Sequence, residues 1–295
     1  MKNKLLLGLS FTFLTMGVIT LNGCSHAKAK ILAFGYTTGG DAAHANFANE
    51  ANNYFKQHAD ELGIEFEFAG TDWSKLTYNN LKNYKMVFFY NARPGDREDD
   101  PEIFKPQQEA FKQYMENGGG WIGFHSCAFS MVDYQHYKTR YEDPGYWPWY
   151  QDEFLACGDY ARNTWNPTSE FLKIESRNHP STKTLENSGF LSSPNEWYDW
   201  EYDLTLNKDI EILLTLNPTP ENPAGDQPDP EKKHEIWTSG HIPVAWANKK
   251  YKMVYVNWGH NLMDYNTGKE GKKSNTFSSK GICEFTANTI KAFAN

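Results

Sequence analysis

Four short apolar runs alternate with helix-forming segments in the first half of the chain. The runs cover residues 30–34, 64–68, 86–90 and 121–124. Three of them are continuously apolar, which is typical of strands buried on both faces, and the second alternates apolar and acidic residues. Strands that alternate with helices form parallel sheets with right-handed crossovers. The sequence therefore predicts an α/β fold with a doubly wound, mostly parallel sheet.

The second half of the chain is less regular. Residues 126–166 are crowded with Tyr, Trp, Pro and Asp, which predicts a long aromatic-rich insertion over the strand ends. Residues 234–237 and 244–246 are expected to form antiparallel strands near a sheet edge. The other predicted strands cover residues 171–174, 210–216 and 253–257. A helix with one apolar face closes the chain.

The first 24 residues have the pattern of a lipoprotein signal peptide. Two lysines precede an apolar run at residues 5–21, and Leu21-Asn22-Gly23-Cys24 resembles a bacterial lipobox. We expect cleavage before Cys24 and attachment of lipid to this residue. The alternative is an uncleaved membrane helix, although the run is short and contains Gly, Ser and Thr.

This interpretation sets the domain boundaries and the location. Residues 1–24 are the signal peptide with its lipobox cysteine, residues 25–30 are a tether, and residues 31–295 form a single domain. The expected location is the cell envelope, with the protein anchored by lipid and facing the periplasm.

Charge and aromatic content bear on the partners. The chain has 29 Lys and Arg against 37 Asp and Glu, a net charge of −8, and no basic stripe in the sequence, which argues against nucleic acid. Aromatic residues make up 16% of the chain and many lie in predicted loops. They either form a stacking surface, as for sugar rings, or pack the loops onto the core. The candidates for stacking are Trp147, Trp149, Trp197 and Tyr198.

Three cysteines follow Cys24, and no two form a Cys-x-x-Cys pair. The sequence therefore predicts neither a zinc knuckle nor a dithiol redox motif. A disulfide between Cys127 and Cys157 stays open, because their separation in space does not follow from the sequence.

Three histidines follow predicted strands, where a doubly wound fold gathers its loops at one edge. They are His44, His125 and His260. Gly123-x-His125 also resembles the strand-to-helix elbow that presents a nucleophile in other folds. The alternative is that Gly118–Gly120 only cap a helix and His125 is an ordinary loop residue. Neutral imidazoles bind divalent metals such as Zn²⁺, so the three histidines form a candidate metal site.

Two further polar residues come from connecting segments that are expected to fold over the same edge. Glu196 is the candidate general acid or base, and His179 is a secondary candidate. The predicted catalytic residues are His125, Glu196 and His260. The predicted substrate contacts are His44, His179, Trp147, Trp149, Trp197 and Tyr198.

Several motifs, in this order, resemble the ThuA-like (trehalose utilisation) family. They are Gly118-Gly119-Gly120-Trp121-Ile122-Gly123-Phe124-His125-Ser126, His179-Pro180-Ser181, Glu196-Trp197-Tyr198, Pro243-Val244-Ala245-Trp246 and Trp258-Gly259-His260. The resemblance covers nearly the whole chain after the tether and implies a class I glutamine amidotransferase-like, flavodoxin-type fold. The family is associated with bacterial sugar catabolism, often beside oxidoreductases that act on glucosides through 3-keto intermediates.

The resemblance implies a carbohydrate-active isomerase, lyase or hydrolase that acts on a keto-sugar or glycoside. Amidotransferase relatives carry Cys at the elbow where this chain has His125, so we do not expect glutamine hydrolysis. Asn195 stands before Glu196, where the family usually has an Asp-Glu pair. The alternatives are a sugar-binding lipoprotein without catalysis and a partner of a sugar oxidoreductase.

Overall fold

The computed structural model describes residues 27–96, 101–128, 142, 145–164, 167–185, 188–225, 235–264, 267–270 and 275–294. The predicted signal peptide, Cys24 and much of the aromatic insertion lie outside these residues. Within the described part of the chain, no helix combines the length and apolar character needed to cross a bilayer.

The described strands, in chain order, are β1 (Ala29–Gly35), β2 (Ile64–Gly70), β3 (Met86–Tyr90), β4 (Gly120–Phe124), β5 (Tyr160–Asn163), β6 (Phe171–Ile174), β7 (Gly189–Leu191), β8 (Tyr198–Trp200), β9 (Ile210–Leu216), β10 (Ile242–Asn248), β11 (Lys252–Val256), β12 (Met263–Asp264) and β13 (Lys269–Glu270). The α-helices are α1 (Ala42–Gln57), α2 (Ala59–Leu62), α3 (Tyr78–Leu81), α4 (Lys105–Glu116) and α5 (Lys280–Ala294). A π-helical turn covers Trp149–Phe154. Short 3-10 turns cover Trp73–Lys75, Pro101–Phe104, His125–Ala128, Leu204–Leu206 and Thr276–Ser278.

The main sheet has nine strands in the order β2-β1-β3-β4-β11-β10-β9-β6-β7. The five strands from β2 to β11 pair in parallel, in the strand order of flavodoxin-type folds. The remaining pairs, from β11 to β7, are antiparallel. The structure thus confirms the doubly wound α/β prediction and adds an antiparallel extension to the sheet.

The strand at residues 244–246 is not near a sheet edge, contrary to the prediction. It belongs to β10, which lies between β9 and β11 and pairs with both. Val244, Ala245 and Trp246 are fully buried, as this interior position requires. Its predicted partner is not a strand in the described residues, where Trp237 forms only an isolated bridge to Ala224.

The parallel strands are buried on both faces because successive side chains of a strand point to opposite sides. In β1, Ile31 packs on one face in a cluster with Phe47 of α1, and α5 adds to the same layer. Leu32 packs on the other face in a cluster with Phe111 of α4. The apolar runs of the sequence therefore correspond to the centre of a three-layer core.

The described part of the aromatic insertion packs against the core and forms one short strand. This strand is β5, which pairs with β8 in a small two-stranded sheet. The π-helical turn at Trp149–Phe154 packs into the α4 side of the core. Cys127 and Cys157 are buried free thiols, so the disulfide that the sequence left open is not formed.

Candidate functional site

Three histidines meet at the C-terminal ends of the parallel strands. His44 lies in the first turn of α1, which follows β1; His125 follows β4 directly; and His260 follows β11. The ring centroids are 5.1 Å apart for His44 and His125, 5.2 Å for His44 and His260, and 5.6 Å for His125 and His260. All three rings are buried. The structure therefore brings together the three histidines that the sequence proposed as a group.

The backbone at His125 forms a strained elbow. His125 has a φ of 52°, in the left-handed region that residues other than glycine rarely adopt. Gly259 passes so close that a Cβ on this glycine would lie 2.8 Å from the Cβ of His125. Strain of this kind persists only where the surrounding structure imposes it, and it is frequent at functional sites. This geometry distinguishes His125 from an ordinary loop residue.

Two asparagines connect the strand ends around the elbow. Asn91, after β3, accepts hydrogen bonds from the Ser126 amide and hydroxyl, both at 3.1 Å, and donates to the Gly259 carbonyl at 2.7 Å. Asn257, after β11, exchanges side-chain hydrogen bonds with the backbone of Tyr198 at 3.1 and 2.7 Å. Both side chains are buried. They fix the loops that carry the candidate site, and the sequence reasoning missed both of them.

The tautomer of His125 follows from its backbone partner. His125 Nδ1 lies 2.8 Å from the carbonyl oxygen of Asn257, which can only accept a hydrogen bond. Nδ1 therefore carries the proton, and in the neutral ring Nε2 presents a lone pair. Burial lowers the pKa of His125 to about 4, so the ring is neutral at physiological pH. The lone pair of Nε2 points toward Glu196, at 3.3 Å from Oε2.

Glu196 completes the cluster from the segment before β8. Its Oε2 lies 3.6 Å from His260 Nε2, and Asn163 donates a hydrogen bond to its other oxygen. Burial raises the pKa of Glu196 to about 7 and lowers the pKa of His260. A carboxyl group with this pKa exchanges a proton readily near neutral pH, as general acid–base catalysis requires.

The cluster offers two sets of metal-ligand atoms that share one histidine. The donor atoms of His44, His125 and Glu196 lie within 4.8 Å of one another, and so do those of Asp41, His44 and His260. Two imidazoles and a carboxylate form a common set of ligands for zinc. His260 Nδ1 is buried and has no hydrogen-bond partner among the described residues, so this ring still has an unsatisfied polar atom. The residues present therefore fit a divalent metal.

Asp41 is a further candidate that sequence reasoning did not single out. It caps the N-terminus of α1, where its side chain accepts a hydrogen bond from the Ala43 amide at 2.8 Å. Its Oδ2 lies 3.9 Å from His260 Nε2. The available signal was its position in the glycine-rich loop after β1, between the first strand and His44.

Two predicted contact residues follow Glu196 in the sequence but have different surroundings. Tyr198 stacks on the His125 ring, with centroids 4.0 Å apart and planes inclined by 25°. Trp197 is fully buried in the core, where its indole donates to the Thr168 carbonyl at 3.0 Å. Tyr198 thus supports the imidazole of His125, whereas Trp197 is a packing residue.

The structure does not place Trp147 and Trp149 as stacking walls. Both are buried in the aromatic layer beside α4, where their rings lie 5.4 Å apart and both contact Phe111. They serve the commoner use of loop aromatics, which is to pack a long loop onto the core.

His179 lies apart from the histidine cluster, contrary to the expectation that it folds over the same edge. It follows β6, which belongs to the antiparallel extension and points its C-terminal end to the opposite edge of the sheet. There the ring contacts Phe293 near the end of α5 and accepts a hydrogen bond from the Ser181 amide.

Asn195, which precedes Glu196, has a structural role. Its side-chain oxygen accepts a hydrogen bond from the Gly259 amide at 3.1 Å, and its amide group donates to Ser193. The residue therefore links the Glu196 segment to the loop that carries His260.

Comparison with known proteins identifies the family. The sequence model of the family described as trehalose utilisation (ThuA) matches residues 30–271. Among solved structures, a ThuA-like protein from Bacteroides uniformis ATCC 8492 is 30% identical, with a TM-score of 0.69 over 90% of this chain and 91% of that one. A ThuA-like protein from Parabacteroides merdae ATCC 43184 is 15% identical, with a TM-score of 0.58 over 91% and 90%.

A more distant likeness concerns the fold alone. The β-galactosidase from Rahnella sp. R3 is 10% identical, with a TM-score of 0.51 over 90% of this chain and 31% of that one. No match was found among the curated proteins. The family match covers well over half of the sequence, and the similar Bacteroides protein is covered almost completely. The chain belongs to the ThuA (trehalose utilisation) family.

Proposed function

We propose that this protein is a lipid-anchored enzyme of carbohydrate catabolism that acts on a keto-sugar or glycoside. The observation that carries the proposal is the buried cluster of three imidazoles around Glu196. Burial raises the pKa of Glu196 to about 7. The family's description as trehalose utilisation supports a carbohydrate substrate. The lipobox at Cys24 supports the anchor and a location in the cell envelope, facing the periplasm.

A divalent metal such as Zn²⁺ fits the donor atoms of His44, His125 and Glu196. His125 contributes the lone pair of Nε2, because the Asn257 carbonyl holds the proton on Nδ1. Asp41 and His260 form the second donor set together with His44. When bound, such an ion supplies Lewis acidity that polarises a carbonyl or hydroxyl oxygen.

The chain's own residues supply the acid–base chemistry. A keto group acidifies its neighbouring C–H bonds, and the Glu196 carboxylate, while it is not bound to an ion, accepts such a proton or returns it to the next carbon or to a leaving group. His260 lies 3.6 Å from the same carboxyl oxygen and is placed to exchange protons with it. Burial raises the pKa of Cys127, two residues after the elbow, so this thiol is not an activated nucleophile.

Metal content of the purified protein is the first test. We expect about one ion per chain after loading with zinc and gel filtration. His44→Ala and His125→Ala should lose the ion, while His179→Ala should keep it, because His179 is a histidine of the same fold at the opposite edge. Equal metal content in all four proteins would contradict the assignment of these ligands.

Turnover separates an enzyme from a binding protein. Keto-glycosides should be converted by the wild-type protein, and Glu196→Gln should lower kcat by a factor of about 100 or more, as expected for loss of a general acid or base. Saturable sugar binding without product would instead favour a sugar-binding lipoprotein.

Co-purification with a sugar oxidoreductase would test the third role, as a partner. Mass spectrometry of the membrane fraction tests the anchor, which Cys24→Ser should abolish.

A further inference from the structure

Six exposed lysines gather at the edge of the sheet opposite to the histidines. This lysine face consists of Lys28, Lys30, Lys82, Lys85, Lys252 and Lys291. Its members line two neighbouring depressions, of about 190 and 420 Å³, and Lys85 contributes to both. They belong to segments that enter β1, β3 and β11 and to the last turn of α5. The N-terminal ends of parallel strands meet at one edge, so residues far apart in the sequence become neighbours.

The positive charge of this face is only partly neutralised. Lys28 pairs with Asp60, and Lys30 lies 3.7 Å from Glu65. Lys82, Lys85 and Lys252 have no carboxylate within ion-pair distance among the described residues, and Lys82 only donates to the Asn79 side chain. In a chain with a net charge of −8, this edge attracts anions.

The polypeptide enters the domain through the same face. Lys28 lies four positions after Cys24, the predicted lipid attachment site. Four residues span at most about 14 Å when extended, so lipid on Cys24 holds this edge close to the bilayer. Three half-buried rings, Tyr78, Tyr84 and Phe293, line one of the depressions. The two tyrosine rings are amphipathic, and tyrosines are enriched where proteins meet lipid headgroups.

We propose that the lysine face docks on the anionic phospholipid headgroups of the membrane that carries the anchor. This inference rests on the lipid-anchored part of the proposed function and not on its chemistry. Parallel strands of five to seven residues separate the two edges by about 15 to 20 Å. Docking through the lysine face therefore directs the histidine cluster away from the membrane, toward diffusing solutes.

Vesicle binding by the chain without its lipid tests the face itself. A protein that begins at Ser25 is suitable, because both core clusters are formed by residues from Ile31 onward. It is mixed with vesicles of phosphatidylcholine alone or with phosphatidylglycerol added, and binding is measured by co-sedimentation at low and high salt. The docking variant carries Lys82→Gln, Lys85→Gln and Lys252→Gln.

A control variant with the same change in charge carries Lys105→Gln, Lys269→Gln and Lys280→Gln. These lysines are also exposed. Lys105 and Lys280 begin α4 and α5, whose other ends lie at the lysine face. Lys269 lies opposite Asp264 in the β12–β13 strand pair, which is beside the start of α1. The control therefore removes three charges from the histidine end of the fold.

We expect salt-sensitive binding to phosphatidylglycerol vesicles and none to phosphatidylcholine alone. Each lysine near an anionic surface contributes roughly fivefold in affinity, so the docking variant should bind about 100-fold more weakly, and the control variant within about threefold of wild type. Equal weakening in both variants, or no binding to phosphatidylglycerol at low salt, overturns the proposal. Binding to polyglutamate but not to vesicles also overturns it, in favour of an acidic protein partner. Metal content and turnover are independent of these outcomes.

Discussion

Replacing Glu196 by Gln should make the folded protein more stable at neutral and alkaline pH. The substitution keeps the size of the side chain and an oxygen that accepts the Asn163 hydrogen bond, but it removes the ionisable group. Burial is the largest cause of the raised pKa of Glu196, so the ionised carboxylate is the form that the fold disfavours.

The sign and size of the effect follow from the two pKa values. The carboxyl ionises near 4.5 in the unfolded chain and near 7 in the folded one. The unfolded state therefore binds fewer protons between these values, and stability falls as pH rises through this window. At about 1.36 kcal/mol per pKa unit, the full difference is about 3 kcal/mol, and most of it is lost between pH 5 and 8.

Urea denaturation of wild type and Glu196→Gln at pH 5, 6, 7 and 8, with a chelator present, measures this loss. From pH 5 to pH 8, the free energy of unfolding of the variant should rise by about 2 to 3 kcal/mol relative to that of wild type. Added zinc should make wild type more stable than the variant, because metal ligation favours the ionised carboxylate. Parallel pH profiles of the two proteins would refute the reasoning.

Glu50→Gln is the matched control. Burial also raises the pKa of Glu50 to about 7, but its carboxyl accepts hydrogen bonds from Asn261 and from the amides of Thr276 and Phe277 instead of facing imidazoles. The free energy of unfolding of Glu50→Gln should depend less on pH than that of wild type, as for Glu196→Gln. Added zinc should not reverse the order of stability of Glu50→Gln and wild type.

Two further predictions concern the support of the site. Gly259→Ala should destabilise the fold by about 1 to 3 kcal/mol in urea denaturation and reduce zinc content. The reason is that φ is 154° at Gly259 and that the new methyl group would meet His125. Normal stability with full metal content would contradict the predicted clash. Trp149→Ala should cost about 3 to 5 kcal/mol of stability as a core substitution, whereas a surface stacking residue would cost little stability and lose sugar affinity instead.

The parallel half of the fold was predictable because its signal is local. An apolar run such as Met86–Tyr90 can be satisfied only by burial on both faces, and the structure has a strand with those bounds. The antiparallel half depends on which strands pair across long stretches of sequence. The runs at β6 and β10 are strands as predicted. The direction of each strand and its place in the sheet, however, do not follow from the residues of that strand.

The same distinction applies to the site. His44, His125 and His260 follow strands of the parallel half, so their convergence followed from the fold class. His179 follows an antiparallel strand and was placed at the wrong edge for that reason. Asp41, Asn91 and Asn257 were missed because short polar residues are common in every loop, and only their three-dimensional contacts distinguish them.

The contacts that hold the left-handed backbone at His125 are distinct from the side chain that would carry the chemistry. Asn91 and Gly259 hold the bend from outside, through contacts that do not involve the imidazole. Among residues with a side chain, Asn, Asp and His adopt this conformation most readily. A single substitution at this position can therefore exchange one reactive group for another while the architecture stays intact. Families built on this scaffold can acquire new reactions without evolving a new fold.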